Sequence, residues 1–380
     1  MSRSNLSFAK LLLGAAALLF IPLAQAQLTS VRPSQQLPMP PDTAPQPTQP
    51  ARFGEFVATD GRTILVTVSQ GPAAYTYVKR GSKKWVFQGA LAPAEGTVTN
   101  SGAVRGNVAA VSGRVGTEEA VFVFLRSQGQ WLQTQTITGA DLSPQFNMVA
   151  LGPDYLAIGD TAENDVVGAL HVYSQTGAGT YVLDSTLTPG NPNATQGWLF
   201  GASPIVSGDT LTARALGGGT VNVFVRAGGL WTEQAELSQH IFGQYGFSGD
   251  RAFISFENTS EPGPREYVRT GGTWTTGVQL IHPDADKAFT NAAIAMDGRR
   301  VVVTESSSTG LGDDAIAFEL GNAGWTATAR LRRANLRECY FGPFGVSLAM
   351  VRRLVVAGCP NAPSGHTAFE GNVKVYELPE

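Results

Sequence analysis

The sequence predicts an all-β fold, a seven-bladed β-propeller of four-stranded antiparallel blades, on three observations. An aromatic residue is followed six positions later by Leu or Ile six times: Trp85/Leu91, Trp131/Ile137, Tyr181/Leu187, Trp231/Leu237, Trp274/Leu280 and Trp325/Leu331. Successive aromatics stand 46, 50, 50, 43 and 51 residues apart, the length of one four-stranded blade rather than of a helical solenoid unit. The composition, with 44 Gly, 22 Pro and 15% charged residues, suits short strands joined by many turns.

Three segments follow in chain order. Residues 1–26 read as a signal peptide: Arg3 and Lys10, an apolar run Leu11–Leu23, and the small-x-small site Ala24-Gln25-Ala26. An uncleaved anchor is the competing reading, but the run falls short of the roughly 18 to 20 apolar residues a spanning helix needs. No later stretch supplies them either, so no transmembrane segment is expected. No Cys follows the cleavage site to carry a lipid, and the chain is expected to be exported, periplasmic or secreted. Residues 27–50 hold one strand-like stretch, Gln27–Val31, and seven prolines between Pro33 and Pro50. The prolines remove backbone donors and favour extended polyproline conformation, so this part reads as a linker. Residues 51–380 form the propeller.

The blade containing Trp231 shows the unit. Phe200–Val206 is a first strand, Ser207-Gly208-Asp209 a turn, Thr210–Ala215 a second strand, Val221–Val225 a third and Leu230–Leu237 a fourth. Seven such first turns run from Asp60-Gly61 to Arg352-Arg353, and seven third strands from Tyr75–Val78 to Val373–Tyr376. Fourth strands number six, because the chain stops at Glu380. Gln27–Val31 is therefore expected to close the seventh blade from the N-terminal side. Within each fourth strand the aromatic and the aliphatic are an even number of residues apart, which in a period-two strand places both on one face.

These repeats resemble the FG-GAP family, whose repeats form the seven-bladed head of integrin alpha subunits and occur in bacterial exported proteins. Phe-Gly opens blades at Phe53-Gly54, Phe200-Gly201, Phe242-Gly243 and Phe341-Gly342, with Phe146 and Phe289 as partial matches. The run Phe224-Val225-Arg226-Ala227-Gly228-Gly229-Leu230-Trp231 is similar to the bacterial form, and versions of it precede Trp131 and Trp274. The Gly-Ala-Pro element survives best as Gly358-Cys359-Pro360. The family's Asp-x-Asp-x-Asp-Gly loop is missing from every turn, so calcium binding is not carried over from the resemblance and no cofactor is expected.

Candidate sites are few. Asp160 and Asp165 are the metal candidates, in an oxygen-rich loop with Glu163 and Asn164 whose spacing fits no standard calcium loop; a solvated polar turn is the simpler reading. Asp284/Asp286 and Asp313-Asp314 are weaker. His171, His240, His282 and His366 stand singly, with His171 the one expected to be buried. Cys339 and Cys359 are expected to pair as a disulfide, since an exported chain meets an oxidising compartment and shows no C-x-x-C. Trp198, Tyr245 and Tyr340 fall on or near loops before blade starts and are the ligand-binding candidates; Trp198 as a cap on the core is the equal alternative.

A serine-nucleophile elbow is absent, as are Ser-x-Asp-x-Gly-x-x-Trp hairpins. With residues 1–26 removed, 25 basic residues face 30 acidic ones, a formal charge of −5, which excludes a basic nucleic-acid footprint. The expected function is a binding module that holds a protein or glycan partner on its loops. The alternative is an extracellular polysaccharide-acting enzyme with carboxylates at the central channel. A purely structural envelope component is a third reading.

Overall fold

Glycine and aspartate turns fold each repeat back on itself, and seven separate sheets result. In the computed structural model the described residues are 28–38, 40, 52–68, 71–81, 84–138, 148–237, 244–256, 263–289, 292–305, 314–332, 347–360 and 371–380. Blade 1 comprises Val57–Thr59, Thr63–Val66, Ala74–Arg80 and Lys84–Leu91; blade 2 Thr97–Arg105, Val108–Val115, Glu118–Ser127 and Gln130–Thr138. Blade 3 comprises Met148–Leu151, Tyr155–Asp160, Ala169–Gly177 and Thr180–Leu187; blade 4 Phe200–Ser207, Thr210–Ala215, Thr220–Ala227 and Leu230–Leu237. Blade 5 comprises Tyr245–Ser248, Arg251–Ile254, Arg265–Thr270 and Thr273–Gln279; blade 6 Ile294–Asp297, Arg300–Thr304, Asp314–Gly321 and Gly324–Arg332. Blade 7 supplies Ser347–Val351, Leu354–Cys359 and Asn372–Glu377. First strands of neighbouring blades touch all the way round, blade 7 to blade 1 included, so the ring is closed about a central axis. The expected seven-bladed propeller is the observed fold, and among the described residues no helix is long and apolar enough to cross a membrane.

The aromatic and aliphatic anchors do not share a face. Midway along the outer strand the register slips by a bulge, which leaves Gln88, Thr134, Asp184, Gln234 and Thr328 unpaired in blades 1, 2, 3, 4 and 6, with a comparable slip in blade 5. One extra residue inverts the alternation beyond it. The aromatic therefore packs back on the preceding blade and the aliphatic forward on the next. Trp131 lies against Leu65 and Leu91 of blade 1, whereas Ile137 packs with Val149 and Leu156 of blade 3. Trp231 meets Tyr155 of blade 3 edge-on at 5.0 Å, and Leu237 joins Tyr245 and Phe247 of blade 5. Trp85/Leu91, Tyr181/Leu187, Trp274/Leu280 and Trp325/Leu331 divide in the same way. The even spacing was read correctly as packing, but a uniform period of two does not hold through a bulge.

Ring closure also differs from expectation. Thr29–Val31 pairs in parallel with the outer strand of blade 6, as a fifth strand. The outer strand of blade 7 is Gln35–Gln36, antiparallel to Asn372–Glu377 and flanked by Ser34 and Leu37 amides that donate to Val375 and Val373 carbonyls at 2.8 and 2.9 Å. Between Pro33 and Pro38 every residue keeps its N–H, so this short window of the Pro-rich stretch can pair. Gln35 then stitches blade 7 to blade 1: its Nε2 donates to the Trp85 carbonyl and its Oε1 accepts the Trp85 amide, both at 2.7 Å. Gln135 of blade 2 holds Tyr181 of blade 3 through the same pair of bonds at 2.8 Å.

Phe-Gly has a matching interblade role. Phe200 bridges Gly168 of blade 3 and Phe53 bridges Gly371 of blade 7. Gly201 and Gly54, at φ +102° and +93°, lie so close to Gly159 and Gly358 that a Cβ on either partner would overlap the opposing carbonyl.

Strand polarity sorts the connections onto two faces. First-to-second and third-to-outer turns share one face, called the turn face, and the remaining loops share the other, the loop face. The turn face is laced together: Asp60 Oδ2 accepts from the Gly106 amide, Ser207 Oγ from Gly249, Ser248 Oγ from Gly298 and Asp297 Oδ2 from Arg352. Gln35→Ala removes two hydrogen bonds at the closure, and we expect it to cost about 1–3 kcal/mol, read as a lower urea midpoint.

Candidate functional site

Among the described residues, three groups of ionisable side chains on the loop face stand out: one at Glu55, one around His171 and one around Glu305. Glu55 begins blade 1 directly after Phe53-Gly54, where the docked Phe-Gly pair draws the chain toward the axis. Its side chain is 17% exposed, Arg52 Nη2 stands 3.1 Å from its Oε2, and its amide donates to the Arg52 carbonyl at 3.0 Å. Oε2 and Arg52 Nε are nevertheless buried without an aligned hydrogen-bond partner. Burial pushes the Glu55 carboxyl above its ordinary range, and the Arg52 charge only partly offsets this.

A second group lies where blade 3 meets blade 4. Asp160, fully buried, ends the second strand, and its Oδ1 accepts the amides of Ala162 and Glu163 at 3.0 and 3.2 Å. His171, 2% exposed, comes from the third strand, and its Nδ1 lies 3.1 Å from Thr186 Oγ1. Glu163 Oε2 stands 2.7 Å from His171 Nε2. Between these two elements Asn164, Asp165 and Val166 take φ of 52°, 55° and 70°, a left-handed run costly for a β-branched residue. It is held by Gly197 and Leu199 amides that donate to the Val166 carbonyl. The structure thus gathers Asp160 with Glu163 and His171, while Asp165 is exposed and outside that group.

A third group gathers His282 and Asp284, after the outer strand of blade 5, with Glu305 at the end of the second strand of blade 6. His282 Nδ1 lies 2.9 Å from the Asp284 amide and 3.1 Å from the Asp284 carbonyl, and its Nε2 lies 2.9 Å from Glu305 Oε1. Arg330 donates to Glu305 Oε1 and Asp284 Oδ1 at 2.9 and 2.7 Å, and Lys287 to Glu305 Oε2 at 2.9 Å. Arg332 pairs with Asp314 at 2.9 Å. Three carboxylates face three cations, and both Glu305 oxygens are taken. Burial works to raise the Glu305 pKa, but the hydrogen bonds from His282 and Lys287 outweigh it and hold it at about 2. This group is a saturated structural network rather than a metal site.

The other predicted residues are accounted for differently. Tyr245 is 3% exposed, and its hydroxyl is committed to the Ser203 carbonyl at 2.7 Å and Thr212 Oγ1 at 3.0 Å. Trp198 lies against the blade 3–blade 4 core cluster and so close over Gly218 that a Cβ there would overlap the indole. Cys359 is 1% exposed and is not a free thiol. Tyr340, Cys339, His240 and His366 lie outside the described residues. Sequence reasoning passed over Glu55, although a signal was present: of the four Phe-Gly openings, only Phe53-Gly54 is followed by an acid.

No protein-family model matches the sequence, and no curated protein matches it. Solved structures do. The chain is similar to a protein from Lactobacillus plantarum at 17% identity, covering 85% of this chain and 98% of that one, with a TM-score of 0.55. It is similar to a putative 6-phosphogluconolactonase from Bacteroides uniformis at 13% identity, covering 86% and 91%, TM-score 0.56. Another, from Bacteroides fragilis and described in the same words, gives 18% identity, 72% and 82% coverage and a TM-score of 0.49. At these identities the likeness is one of fold, and seven-bladed β-propeller is the class the chain falls in. The expectation of a binding module is corrected on two counts. The described aromatics that would have formed it are spent on packing and hydrogen bonding, and the B. uniformis propeller that shares the fold is described as a putative 6-phosphogluconolactonase.

Acid should release the Glu305 network. Its folded pKa lies below the ordinary 4.5, so the stability it contributes is complete above that value and is lost as pH falls toward about 2. Glu305→Gln should cost about 3–5 kcal/mol at neutral pH and flatten the decline in melting temperature across that window.

Proposed function

We propose that this chain is an exported hydrolase acting on a carbohydrate-derived substrate, a sugar lactone or a polysaccharide, at the loop face. The observation that carries the reading is Glu55, a desolvated carboxyl with a raised pKa at the loop-face end of a first strand. Opening a lactone and cleaving a glycosidic bond both add water across a C–O bond of a sugar. Both need a group that gives or takes a proton, and a desolvated glutamate holds its proton to a higher pH than an ordinary carboxyl. Arg52 beside it offers a positive charge to an oxygen on which negative charge develops. The fold shared with the B. uniformis propeller supports the same class of chemistry.

The test is a hydrolysis panel of sugar lactones and soluble polysaccharides, with wild type beside Glu55→Gln. We expect turnover of one substrate class and a fall in kcat of about 10²- to 10⁴-fold in the variant. A carboxyl whose folded pKa is raised loses stability as pH rises through that pKa, so E55Q should melt no lower than wild type at pH 7. No turnover on either class, or equal turnover by E55Q, sinks the reading.

Export, the disulfide and kinship to FG-GAP repeats belong to the same proposal. Arg3, Lys10 and the Ala24-Gln25-Ala26 site support export. The Phe53-Gly54 and Phe200-Gly201 junctions support the repeat kinship. Cys359, buried and not free, supports a bond to Cys339. Intact mass of the exported protein should begin at Gln27 and lack two thiol hydrogens until reduced; an unchanged mass on reduction removes the bond.

A further inference from the structure

We infer that Asp160, Glu163 and His171 form a mononuclear divalent transition-metal site of the zinc type at the junction of blades 3 and 4. His171 Nε2 and Glu163 Oε2 are 2.7 Å apart and shut off from solvent, yet neither has an aligned hydrogen-bond partner. Two buried polar atoms left in this state each carry an uncompensated desolvation cost. If Thr186 accepts from His171 Nδ1, Nε2 presents a bare lone pair to a carboxylate oxygen, a repulsive contact that a shared cation turns into two bonds. If Thr186 donates instead, the Nε2–H points away from the one acceptor beside it. A metal ion resolves the contact directly.

The rest of the set is consistent with this. The ligand atoms of all three side chains lie within 4.8 Å of one another. Two backbone amides hold the buried Asp160 carboxylate, so little side-chain freedom is lost on binding. Among the described residues Glu163 meets no Lys or Arg, in contrast to Glu305, whose oxygens are filled by Lys287, Arg330 and His282. The Glu163 side chain is 31% exposed, which gives an ion a way in from solvent. One imidazole with two carboxylates suits Zn²⁺ and its neighbours in the transition series; Ca²⁺ wants six to eight oxygens. Asp160 and His171 flank a single connection and Glu163 lies within it, so the site needs no assembly from distant blades.

The site stands apart from Glu55, and the two fail separately. Untagged, chelator-treated wild-type protein is titrated with Zn²⁺ by calorimetry and native mass spectrometry, beside Glu163→Gln, His171→Asn, Glu55→Gln and Asp284→Asn. We expect one Zn²⁺ per chain and a raised melting temperature, both reversed by chelator. Affinity should weaken by about tenfold or more in E163Q and H171N and be unchanged in E55Q and D284N. Co²⁺ should show visible d–d bands that E163Q alters. E163Q touches the most exposed ligand, so it keeps the test decisive where H171N fails to fold. No saturable uptake by folded wild type, equal uptake by E163Q, or preference for Ca²⁺ overturns the inference.

Discussion

Every interblade junction in this ring depends on an outer strand whose two anchors face opposite ways. The register slip between them lets one strand hold both neighbours: the aromatic covers the apolar side of the blade before it, and the aliphatic covers that of the blade after it. Without the slip both anchors would fall on one side, and alternate faces would be left bare. The unpaired residue is itself used. Gln88 and Gln234 accept the indole N–H of Trp131 and Trp274 in the next blade, at 3.3 and 3.1 Å. Arg126 and Arg269 lie over those indoles from the third strand, 5.1 and 5.5 Å from the ring centre, so the Arg five residues before each of these tryptophans forms a cross-strand cation–π pair with it.

The seventh junction is closed by a segment from the N-terminal side of the ring. A closed ring tolerates no bare edge, and Gln35–Gln36 covers that of Asn372–Glu377. Gln35 reproduces at blade 7 the backbone clamp that Gln135 makes at blade 2, so a two-residue strand does the work of a longer one. This closure brings Phe53-Gly54 onto Gly371 and Gly358 and thereby sets Glu55 at the start of a first strand. The desolvation of Glu55 is thus a consequence of ring closure.

The two faces divide stability from chemistry. On the turn face the polar groups of one turn are consumed by amides of the next, which leaves little for a ligand. Polar clusters collect on the loop face, and they differ in how completely they are satisfied. Around Glu305 the charges balance and its hydrogen-bonding capacity is filled, the condition under which a buried network rigidifies a structure. Around His171 two buried atoms meet without bonding. The proposed metal chemistry follows from that deficit, because an ion is bound where the protein has left donor atoms uncommitted.

The blade count, the turns and the identity of the six anchor pairs can be read from the amino-acid order alone, since they depend on local turn chemistry and on a repeat one blade long. Which segment closes blade 7 emerged only from the folded ring. Gln35–Gln36 has no pattern of its own, and its value lies in reaching Trp85, fifty residues away. The facing of the anchors was hidden for a similar reason: a bulge is defined by what two strands do together, and one strand's sequence does not record it. His171 and Glu163 are eight residues apart, a spacing that fits no motif. They meet because a left-handed run at Asn164–Val166, fixed by the loop of the following blade, folds one back upon the other.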